Sequence, residues 1–376
     1  MGHATQWSAR LVVSKKPTLN FKEHMSFTFD TETNKREPEP RSKKASAKVR
    51  NALLCVASLV LVAALAAGTY LFTLAQTYNS NTEKIETAFP EDGTRPEKQT
   101  PVNGRSAMNI LLMGSDSLGV SEIDAERGTP SDQRSDVMML VHIPADRKNV
   151  YSVSLMRDLW VAIPGHGEAK LNAALALGGV PLVVQTVESI FNQRIDHVAT
   201  VNFEGFKGLT EALGGVPVTS NVAFSVGTYS YAAGPNMLSG EKALAFVRER
   251  HAFADGDYQR VRNQQAFIKG VIAKTMNAET LSNPVTVSNL VNVFSPFVAV
   301  DKTLDAGAIG SLAVELKGVR PQDMSMFTLP TRGTGTSADG QSIVITDPNA
   351  IQKISAALAE DKLGDYIAAN NFQNGN

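Results

Sequence analysis

The chain lacks most of the residues from which metal, redox and nucleic-acid sites are built. Among 376 residues it has one cysteine, Cys55, which excludes an intramolecular disulfide, a thiolate zinc site and a redox pair. Its 6 histidines stand at no metal-ligand spacing. The 36 Lys and Arg nearly balance the 37 Asp and Glu, so no overall basic field attracts nucleic acid. Any anion-binding site must therefore be local.

Sequence motifs for nucleophilic catalysis and nucleotide binding are absent as well. The sequence contains neither a Ser nucleophile elbow nor a Gly-rich phosphate loop with its lysine. Carboxylates and arginines are the groups that remain for chemistry.

A long uncharged run does occur near the amino terminus. Residues 52–74 read ALLCVASLVLVAALAAGTYLFTL. At about 1.5 Å per residue, this run is long enough to cross a hydrocarbon core of about 30 Å. We therefore predict a transmembrane helix over residues 51–76, with a buried core helix as the alternative. A signal peptide would be shorter and would lie closer to the amino terminus.

The flanks of this run predict the topology. Residues 1–50 are polar and without periodicity, which indicates a disordered cytoplasmic tail. Lys and Arg cluster before the run and acids are more frequent after it, so the amino terminus is expected inside and the bulk of the chain outside. Chemistry that uses ATP or NAD is disfavoured, because these cofactors are scarce outside the cytoplasm. Residues 77–102 contain three prolines and are predicted to form an extracytoplasmic linker. Residues 103–365 are then predicted to form the main folded domain, and residues 366–376 a flexible tail.

Charged side chains recur at the ends of three predicted strands, MNILLM (108–113), VMMLVHI (137–143) and VYSVSL (150–155). Asp116 follows the first strand, Arg134 and Asp136 precede the second, and Arg157 and Asp158 follow the third. Ligands bind at strand ends in open α/β sheets, so these groups are candidates for one site. The alternative is that each acid caps a turn.

A second group of charges lies in residues 246–265, FVRERHAFADGDYQRVRNQQ. Alternation predicts a strand that places Arg248 and Arg250 on one face. Asp257 is predicted to be the N-cap of a helix with Arg260 and Gln264 on one face near its positive end. These guanidiniums would converge on one spot and fit a phosphate or diphosphate group. The alternative is a solvated charged face.

Three other predictions concern the rest of the folded region. The segment 224–235 reads as flexible or lid-like. The apolar positions of residues 281–300 indicate core, or alternatively the lining of a channel for a lipid tail. His197, in an alternating strand, is expected to be structural.

Carboxylates and arginines together suit phosphoryl transfer. A pair of Asp side chains is the usual protein contribution to a Mg²⁺ site, and arginines can neutralise charge on a departing phosphate. Outside a membrane, we expect a diphosphate substrate to be lipid-linked.

With these residues assembled, the region from about 109 to 275, and on to about 331, resembles the LytR–CpsA–Psr family of cell-envelope proteins, whose older label is cell-envelope-related transcriptional attenuator. The motifs that carry the resemblance are NILLMGSD, RSDVMML, SVSLMRDLWVAIP, KLNAA and FVRER…GDYQRVRNQQ, in this order behind a single membrane span. The resemblance implies a mixed α/β fold, in which a mixed β-sheet is sandwiched between helices, with an apolar lipid pocket.

The resemblance also implies roles for individual residues. Asp116 and Asp136 match the acids associated with Mg²⁺, and Arg157 and Asp158 match the catalytic pair. The residues that match diphosphate contacts are Arg134, Arg157, Arg248, Arg250, Arg260 and Gln264. Two positions depart from the family pattern. Met156 stands in place of the usual Pro, and Asn263 stands where many members have an Arg, which leaves Arg262 as a candidate substitute.

The implied function is to attach a glycopolymer, such as teichoic acid, capsule or arabinogalactan, from a polyprenyl diphosphate carrier to peptidoglycan. Two alternatives stay open, a lipid diphosphate hydrolase with water as the acceptor and a non-catalytic sensor that binds the lipid-linked diphosphate. A DNA-binding regulator is disfavoured because the folded region is predicted to lie outside, and no nucleic acid is expected among the partners.

Overall fold

The structure, a computed structural model, describes residues 47–100, 104–115 and 135–372. The chain forms two units, Met1–Leu61 and Val62–Asn376. In the first unit the described residues, 47–61, are helical. Most of the predicted cytoplasmic tail, residues 1–46, lies outside the described residues.

The first helix, α1, runs from Ala47 to Asn81. Its part Asn51–Asn81 is long and apolar enough to cross a membrane, and none of its apolar window is buried by the rest of the protein. Ala173–Phe191 meets the same test of length and composition, but 61% of its window is buried, as expected for a core helix. The prediction of one amino-terminal apolar helix is confirmed, and this helix continues beyond residue 76.

A mixed seven-stranded sheet is the centre of the second unit. Its strands are β1 (Glu83–Ile85), β2 (Met108–Ser115), β3 (Ser135–Ile143), β4 (Val150–Leu155), β7 (His197–Asn202), β12 (Val298–Asp301) and β13 (Met324–Thr328), in the order β1-β12-β7-β2-β3-β4-β13. β2, β3 and β4 pair antiparallel, whereas β7 and β13 pair parallel to β2 and β4. The predicted mixed sheet between helices is confirmed.

The main hydrophobic core lies on one face of this sheet. Helices α2 (Ala173–Phe191), α9 (Pro348–Ala359) and α10 (Leu363–Ala369) cover it. Leu111, Met113 and Val153 alternate toward this face and pack with Val183 and Val187 of α2. The predicted helix over residues 181–191 is the second half of α2.

The opposite face is covered more thinly, by α3 (Phe203–Ala212), α7 (Pro284–Phe294) and α8 (Ala306–Glu315). Phe294 of α7 and Ala308 of α8 pack on buried Val300 and Leu304. Neither α7 nor α8 contains a buried residue. The prediction of core for residues 281–300 is therefore correct for β12 and wrong for α7, whose apolar side chains stay partly in contact with solvent.

A smaller four-stranded sheet follows β4. It consists of β5 (Leu159–Ile163), β6 (Gly167–Lys170), β14 (Thr331–Thr336) and β15 (Ser342–Thr346), in the order β14-β15-β5-β6. The two sheets are joined directly by the turn between β4 and β5, so anything held at this turn lies between them.

A separate hydrophobic cluster supports α4 (Gly240–Arg248) and α5 (Asp257–Thr275), and the short helix α6 (Ala278–Leu281) follows α5. The cluster includes the ribbon of β8 (Val216–Ser220) with β11 (Gly234–Leu238) and the hairpin of β9 (Phe224–Val226) with β10 (Tyr229–Tyr231). Phe224 stacks on Tyr231 at 4.5 Å between ring centroids, and Tyr231 is 2% exposed. The prediction of a flexible lid at 224–235 is thus wrong, because aromatic packing holds this segment.

The predicted linker is also part of the fold. β1 pairs parallel with β12, and Ala88 is buried. The guanidinium of Arg95 binds the carboxylate of Glu188 at 2.6 Å, with both side chains almost fully buried. Residues 82–99 therefore do not form a free spacer. In the predicted tail, Phe372 stacks on Phe327 at 5.3 Å, so its first residues are packed too.

Candidate functional site

Three strand ends meet at one end of the central sheet. Ser115, the last residue of β2, pairs with Ser135, the first residue of β3. Leu155, the last residue of β4, pairs with Met138 of β3. The backbone thus brings together the positions at which the sequence places charged groups. Asp116 and Arg134 lie outside the described residues, as does the side chain of Asp136.

The turn after β4 presents Arg157 and Asp158. The amide of Leu159 donates to the carbonyl of Met156 at 3.0 Å, and the amide of Asn172 donates to the carbonyl of Arg157 at 3.0 Å. Met156 is 2% exposed and packs in the main core. Met156, which stands in place of Pro, therefore fixes the turn through its buried side chain. The two backbone hydrogen bonds hold the conformation of the turn.

The helix α5 brings a second set of charges to this turn. α5 begins at Asp257, and Gly256 occupies the N-cap position with a φ of 50°. Such a positive φ favours glycine. The prediction of Asp257 as N-cap is therefore wrong by one residue. Asp257 lies in the first turn, where its negative charge interacts favourably with the helix dipole.

Asp257 is surrounded by three arginines. Its carboxylate oxygens lie 3.2 Å from Nη2 of Arg260, 3.7 Å from Nη1 of Arg250 and 3.9 Å from Nε of Arg157. Arg157 Nε also lies 3.5 Å from Asp158 Oδ2. The sequence predicted guanidiniums converging near this helix terminus, and the structure places these three around one carboxylate.

Arg248 and Arg250 do not belong to a strand. Arg248 is the last residue of α4, whose buried residues Ala243, Leu244 and Val247 follow a helical period. The predicted strand over this segment is wrong because this period extends through Val247. Arg250 follows in an irregular segment, which lets its side chain turn toward Asp257.

Gln264, predicted to contact the diphosphate, is 5% exposed, and its side-chain amide donates to the carbonyl of Val247 at 3.2 Å. Asn263 similarly donates to the carbonyl of Phe246 at 3.3 Å. These two amides tie α5 to the end of α4. Arg262 binds Asp255 and the side-chain oxygen of Gln259 instead of joining the arginines around Asp257.

Two residues of the site were missed in the sequence. Gln265 is buried and donates to the hydroxyls of Ser154, at 2.9 Å, and Thr328, at 3.3 Å, which fixes α5 on the ends of β4 and β13. Lys170 Nζ lies 3.4 Å from Asp158 Oδ1. Lys170 is the first residue of the KLNAA motif, so the motif could have indicated that Lys170 belongs to the site.

The charge balance of this group favours an anion. The described side chains that meet here are four cations, from Arg157, Lys170, Arg250 and Arg260, and two carboxylates, from Asp158 and Asp257. Guanidinium groups match phosphate oxygens in geometry as well as charge. The arrangement is thus suited to bind a phosphate or diphosphate at the amino terminus of α5.

A cleft of about 740 Å³ opens beside these charges. One wall is the segment from Arg250 to Tyr258, and the other is formed by Gly333 and Thr334 of β14 with Ser342 of β15. The hydroxyls of Tyr258 and Thr331, 2.5 Å apart, join the two walls. Asp158 and Asp257 also line the cleft, which gives a second molecule access to the charged group.

The described residues contain no group of three or more His, Cys, Asp or Glu side chains that could hold a metal ion. The predicted Mg²⁺ ligands, Asp116 and Asp136, lie where no side chain is described. In the sequence these acids stand next to Ser115 and Ser135, which pair with each other at the ends of β2 and β3.

Several known proteins are similar to this chain. Residues 69–360 match the LytR_cpsA_psr family. A relative from Enterococcus faecalis, named polyisoprenyl-teichoic acid--peptidoglycan teichoic acid transferase TagU, is 30% identical over 266 residues, which are 70% of this chain and 82% of the relative.

Solved structures agree with this match. Bacillus subtilis TagV has a TM-score of 0.57 at 22% identity and aligns over 69% of this chain and 98% of its own. TagT bound to LIIa-WTA has a TM-score of 0.56 at 25% identity over 75% and 99%. Because the family match covers most of the chain, including the turn after β4 and all of α5, the chain belongs to the LytR_cpsA_psr family.

Proposed function

We propose that this protein is a membrane-anchored phosphotransferase that moves a glycopolymer of the teichoic acid, capsule or arabinogalactan type from a polyprenyl diphosphate carrier to peptidoglycan. The observation that carries the proposal is the convergence of Arg157, Arg250 and Arg260 at the amino terminus of α5. The name of the Enterococcus faecalis relative supports the choice of donor and acceptor.

The diphosphate of the donor binds among these guanidiniums. A hydroxyl oxygen of peptidoglycan attacks the phosphorus that carries the glycopolymer. The bond from this phosphorus to the bridging oxygen breaks, and polyprenyl phosphate leaves with the electron pair. Arg157 stabilises the negative charge that grows on the leaving phosphate, because it is already oriented by Asp158 and Asp257.

The proton of the attacking hydroxyl passes to Asp158. This carboxylate lines the cleft and also contacts Arg157 and Lys170, so it connects the acceptor side to the phosphate side. In this assignment the acceptor glycan enters through the cleft between the segment from Arg250 to Tyr258 and β14. Asp158 is then within reach of the hydroxyl that attacks.

A Mg²⁺ ion held by Asp116 and Asp136 belongs to the same proposal. The pairing of Ser115 with Ser135 supports it, because each acid is the sequence neighbour of one of these two paired residues. Carboxylate oxygens suit Mg²⁺, and an ion held there would supply positive charge toward the phosphates. Arg134 and Arg248 complete the proposed diphosphate contacts, whereas Gln264 supports them by holding α5 on α4.

The lipid chain is proposed to lie on the thinly covered face of the sheet. Leu112, Val201 and Phe294 are apolar and only partly buried there. The amino terminus is proposed to lie in the cytoplasm and the second unit outside, in accord with the basic cluster before the apolar run.

The test is transfer from a purified polyprenyl diphosphate-linked glycopolymer to peptidoglycan, with Mg²⁺ and full-length protein in membranes. Arg157→Ala and Arg250→Ala are expected to lower the rate at least about 100-fold, since each removes a guanidinium that stabilises developing charge. Arg332→Ala, a change of an exposed arginine on β14, is the matched control and should leave the rate unchanged.

Thermal unfolding of each variant separates loss of chemistry from loss of fold. Released lipid phosphate without attachment to peptidoglycan would identify a hydrolase, and donor binding without turnover would identify a sensor. Normal transfer by both arginine variants would refute the catalytic assignment. Chelation of Mg²⁺ that leaves the rate unchanged would refute the metal.

A further inference from the structure

The segment that follows α5 comprises its C-cap residue Met276, α6 and the start of α7, and we call it the tip, residues 276–287. Between Lys274 and Asp301 the sequence has one charged residue, Glu279, although 19% of the chain is charged. Met276 is 37% exposed and Val285 is 66% exposed. The tip is therefore an exposed surface that has almost no charge, which is unusual for a surface that faces only water.

The tip is attached to the apolar helix. The hydroxyl of Tyr70 in α1 donates to the carbonyl of Pro284, the first residue of α7, at 2.9 Å. Tyr70 lies four residues before Leu74, the last residue of the apolar run, so it is about 6 Å from the end of that run along the helix axis. Pro284 is thereby held beside the apolar part of α1.

Contacts further along α1 engage other parts of the second unit. The amide of Ala306, at the start of α8, donates to the side-chain oxygen of Asn79 at 2.9 Å, and Tyr78 donates to the carbonyl of Leu304 at 3.4 Å. Asn79 lies beyond the apolar run, and the first charged residues after the tip, Asp301 and Lys302, precede Leu304 by a few residues. The charge-poor tip therefore contacts the apolar part of α1, whereas charged residues of the second unit lie near the last turn of α1.

We infer that the tip is inserted into the outer interface of the lipid bilayer beside α1, so that the protein contacts the membrane with a second, non-spanning element. Tyrosine at the level of Tyr70 is typical of such an interface. Uncharged side chains such as Met276 and Val285 gain free energy when they leave water for the boundary between headgroups and acyl chains.

This inference rests on one part of the proposed function, namely that α1 crosses the membrane, and it requires no catalytic step. It differs from the proposed lipid pocket, because the surface concerned faces outward and its occupant is the bilayer surface itself. Its consequence is a fixed orientation of the second unit, since two separate points, α1 and the tip, contact the membrane.

The test is the depth of spin labels in full-length protein reconstituted into nanodiscs of phosphatidylcholine and phosphatidylglycerol. The native cysteine is removed by Cys55→Ser, and single labels are attached after Val285→Cys, Leu65→Cys or Gln352→Cys. Leu65 lies in the apolar run, and Gln352 is exposed on α9, on the opposite face of the sheet. All three positions are exposed enough to accept a label.

We expect the label at 285 to be accessible to oxygen and protected from a water-soluble nickel complex, as at 65, whereas the label at 352 shows the reverse. Full nickel accessibility at 285 with protection at 65 would refute the inference while the anchor of the proposed function stands. Nickel accessibility at 65 would refute the anchor, and the inference with it.

Discussion

Asp257 holds three guanidinium groups in place at the amino terminus of α5. Arg157, Arg250 and Arg260 come from three separate segments, and the negative charge of Asp257 offsets the repulsion among their like charges. The carboxylate would therefore preorganise the arginines for the proposed phosphate. Preorganised charge is effective in catalysis because no reorganisation is needed at the moment of reaction.

Asp301 has a structural role and contacts none of these arginines. It is fully buried at the end of β12, where its carboxylate accepts hydrogen bonds from the His197 ring at 3.1 Å, from the hydroxyl of Thr303 and from the amide of Val198 at 3.0 Å. Asp301 is thus the hydrogen-bond partner of His197, which the sequence indicated to be structural. Burial by itself would raise the pKa of Asp301, but these hydrogen bonds outweigh it and lower the pKa to about 2.

This lowered pKa predicts an acid-dependent loss of stability. The folded pKa lies below the ordinary value, so the carboxylate stabilises the fold above about pH 4 and loses this contribution as the pH falls toward 2. The loss should be about 2 kcal/mol. Urea unfolding between pH 5 and pH 2 measures it, with Asp301→Asn as the comparison.

Asp301→Asn should be less stable than the native protein at pH 5, and its stability should fall less between pH 4 and pH 2. Parallel curves for the two proteins would contradict the assignment of this titration to Asp301.

At the scale of elements, α5 connects the charged site to the rest of the second unit. Its first turn carries Asp257 and Arg260, and its middle is fixed to the sheet by Gln265. At Gly270 the helix passes so close to β8 that a Cβ atom would lie 2.4 Å from the carbonyl oxygen of Pro217. The helix cannot slide along its axis without breaking these contacts, so its amino terminus stays in place.

The long apolar elements could be predicted from the sequence, whereas short and irregular ones could not. β2, β3 and β4 were predictable because central strands are near-continuous apolar runs. The strand predicted over Arg248 and Arg250 was wrong because alternation over four residues cannot be distinguished from the end of an amphipathic helix. β1 has three residues without a pattern, and its partner β12 is distant in sequence. The place of Asp257 depends on three separate segments, so only the folded structure could reveal it.

The cleft gives a prediction about acceptor entry. Thr334 and Thr336 are both exposed on β14 and point to the same side, but only Thr334 lines the cleft. Thr334→Trp should fill part of the cleft and lower transfer to peptidoglycan at least about 10-fold, whereas binding of the polyprenyl diphosphate donor should be unchanged. Transfer and donor binding are measured separately.

Thr336→Trp is the matched control, since it adds the same side chain to the same strand outside the cleft. Equal transfer rates for the two variants would exclude the cleft as the route of the acceptor. Weakened donor binding in Thr334→Trp would show instead that the cleft belongs to the donor.

At the scale of the whole molecule, the residues after α1 belong to the folded unit. Arg95 and Glu188 form a buried ion pair, and the side chain of Gln99 donates to Gln193 at 2.9 Å. With β1 at the edge of the central sheet, these contacts leave little free chain between the apolar helix and the fold. If α1 crosses the membrane as proposed, the second unit would thus be held at a short distance from the bilayer.

A soluble fragment that starts at Asn103 is accordingly expected to be less stable than one that starts at Thr82. The shorter fragment loses β1 and leaves the carboxylate of Glu188, whose side chain is 2% exposed, without its cation. An unpaired buried charge costs about 3–5 kcal/mol, which corresponds to a melting temperature lower by about 10 °C. Thermal unfolding followed by circular dichroism measures the difference.

Arg95→Ala in the longer fragment should reproduce much of this loss, whereas Lys98→Ala, at an exposed position three residues away, should have little effect. Equal melting temperatures for the two fragments would mean that residues 82–102 contribute nothing to the fold.

The length of α5 limits how far the arginines at its amino terminus lie from the tip. The helix begins at the arginines and ends at Thr275, next to the tip, and its 19 residues rise about 28 Å. If the tip is inserted in the interface as proposed, the proposed diphosphate site lies up to about 28 Å from the acyl chains. The first part of the carrier's hydrocarbon tail would then have to leave the bilayer. Each methylene that then met water would cost about 0.8 kcal/mol. The proposed route from the membrane to Arg157 would therefore have to be apolar, which agrees with the proposal that the lipid chain lies on the thinly covered face of the sheet, beside Leu112, Val201 and Phe294.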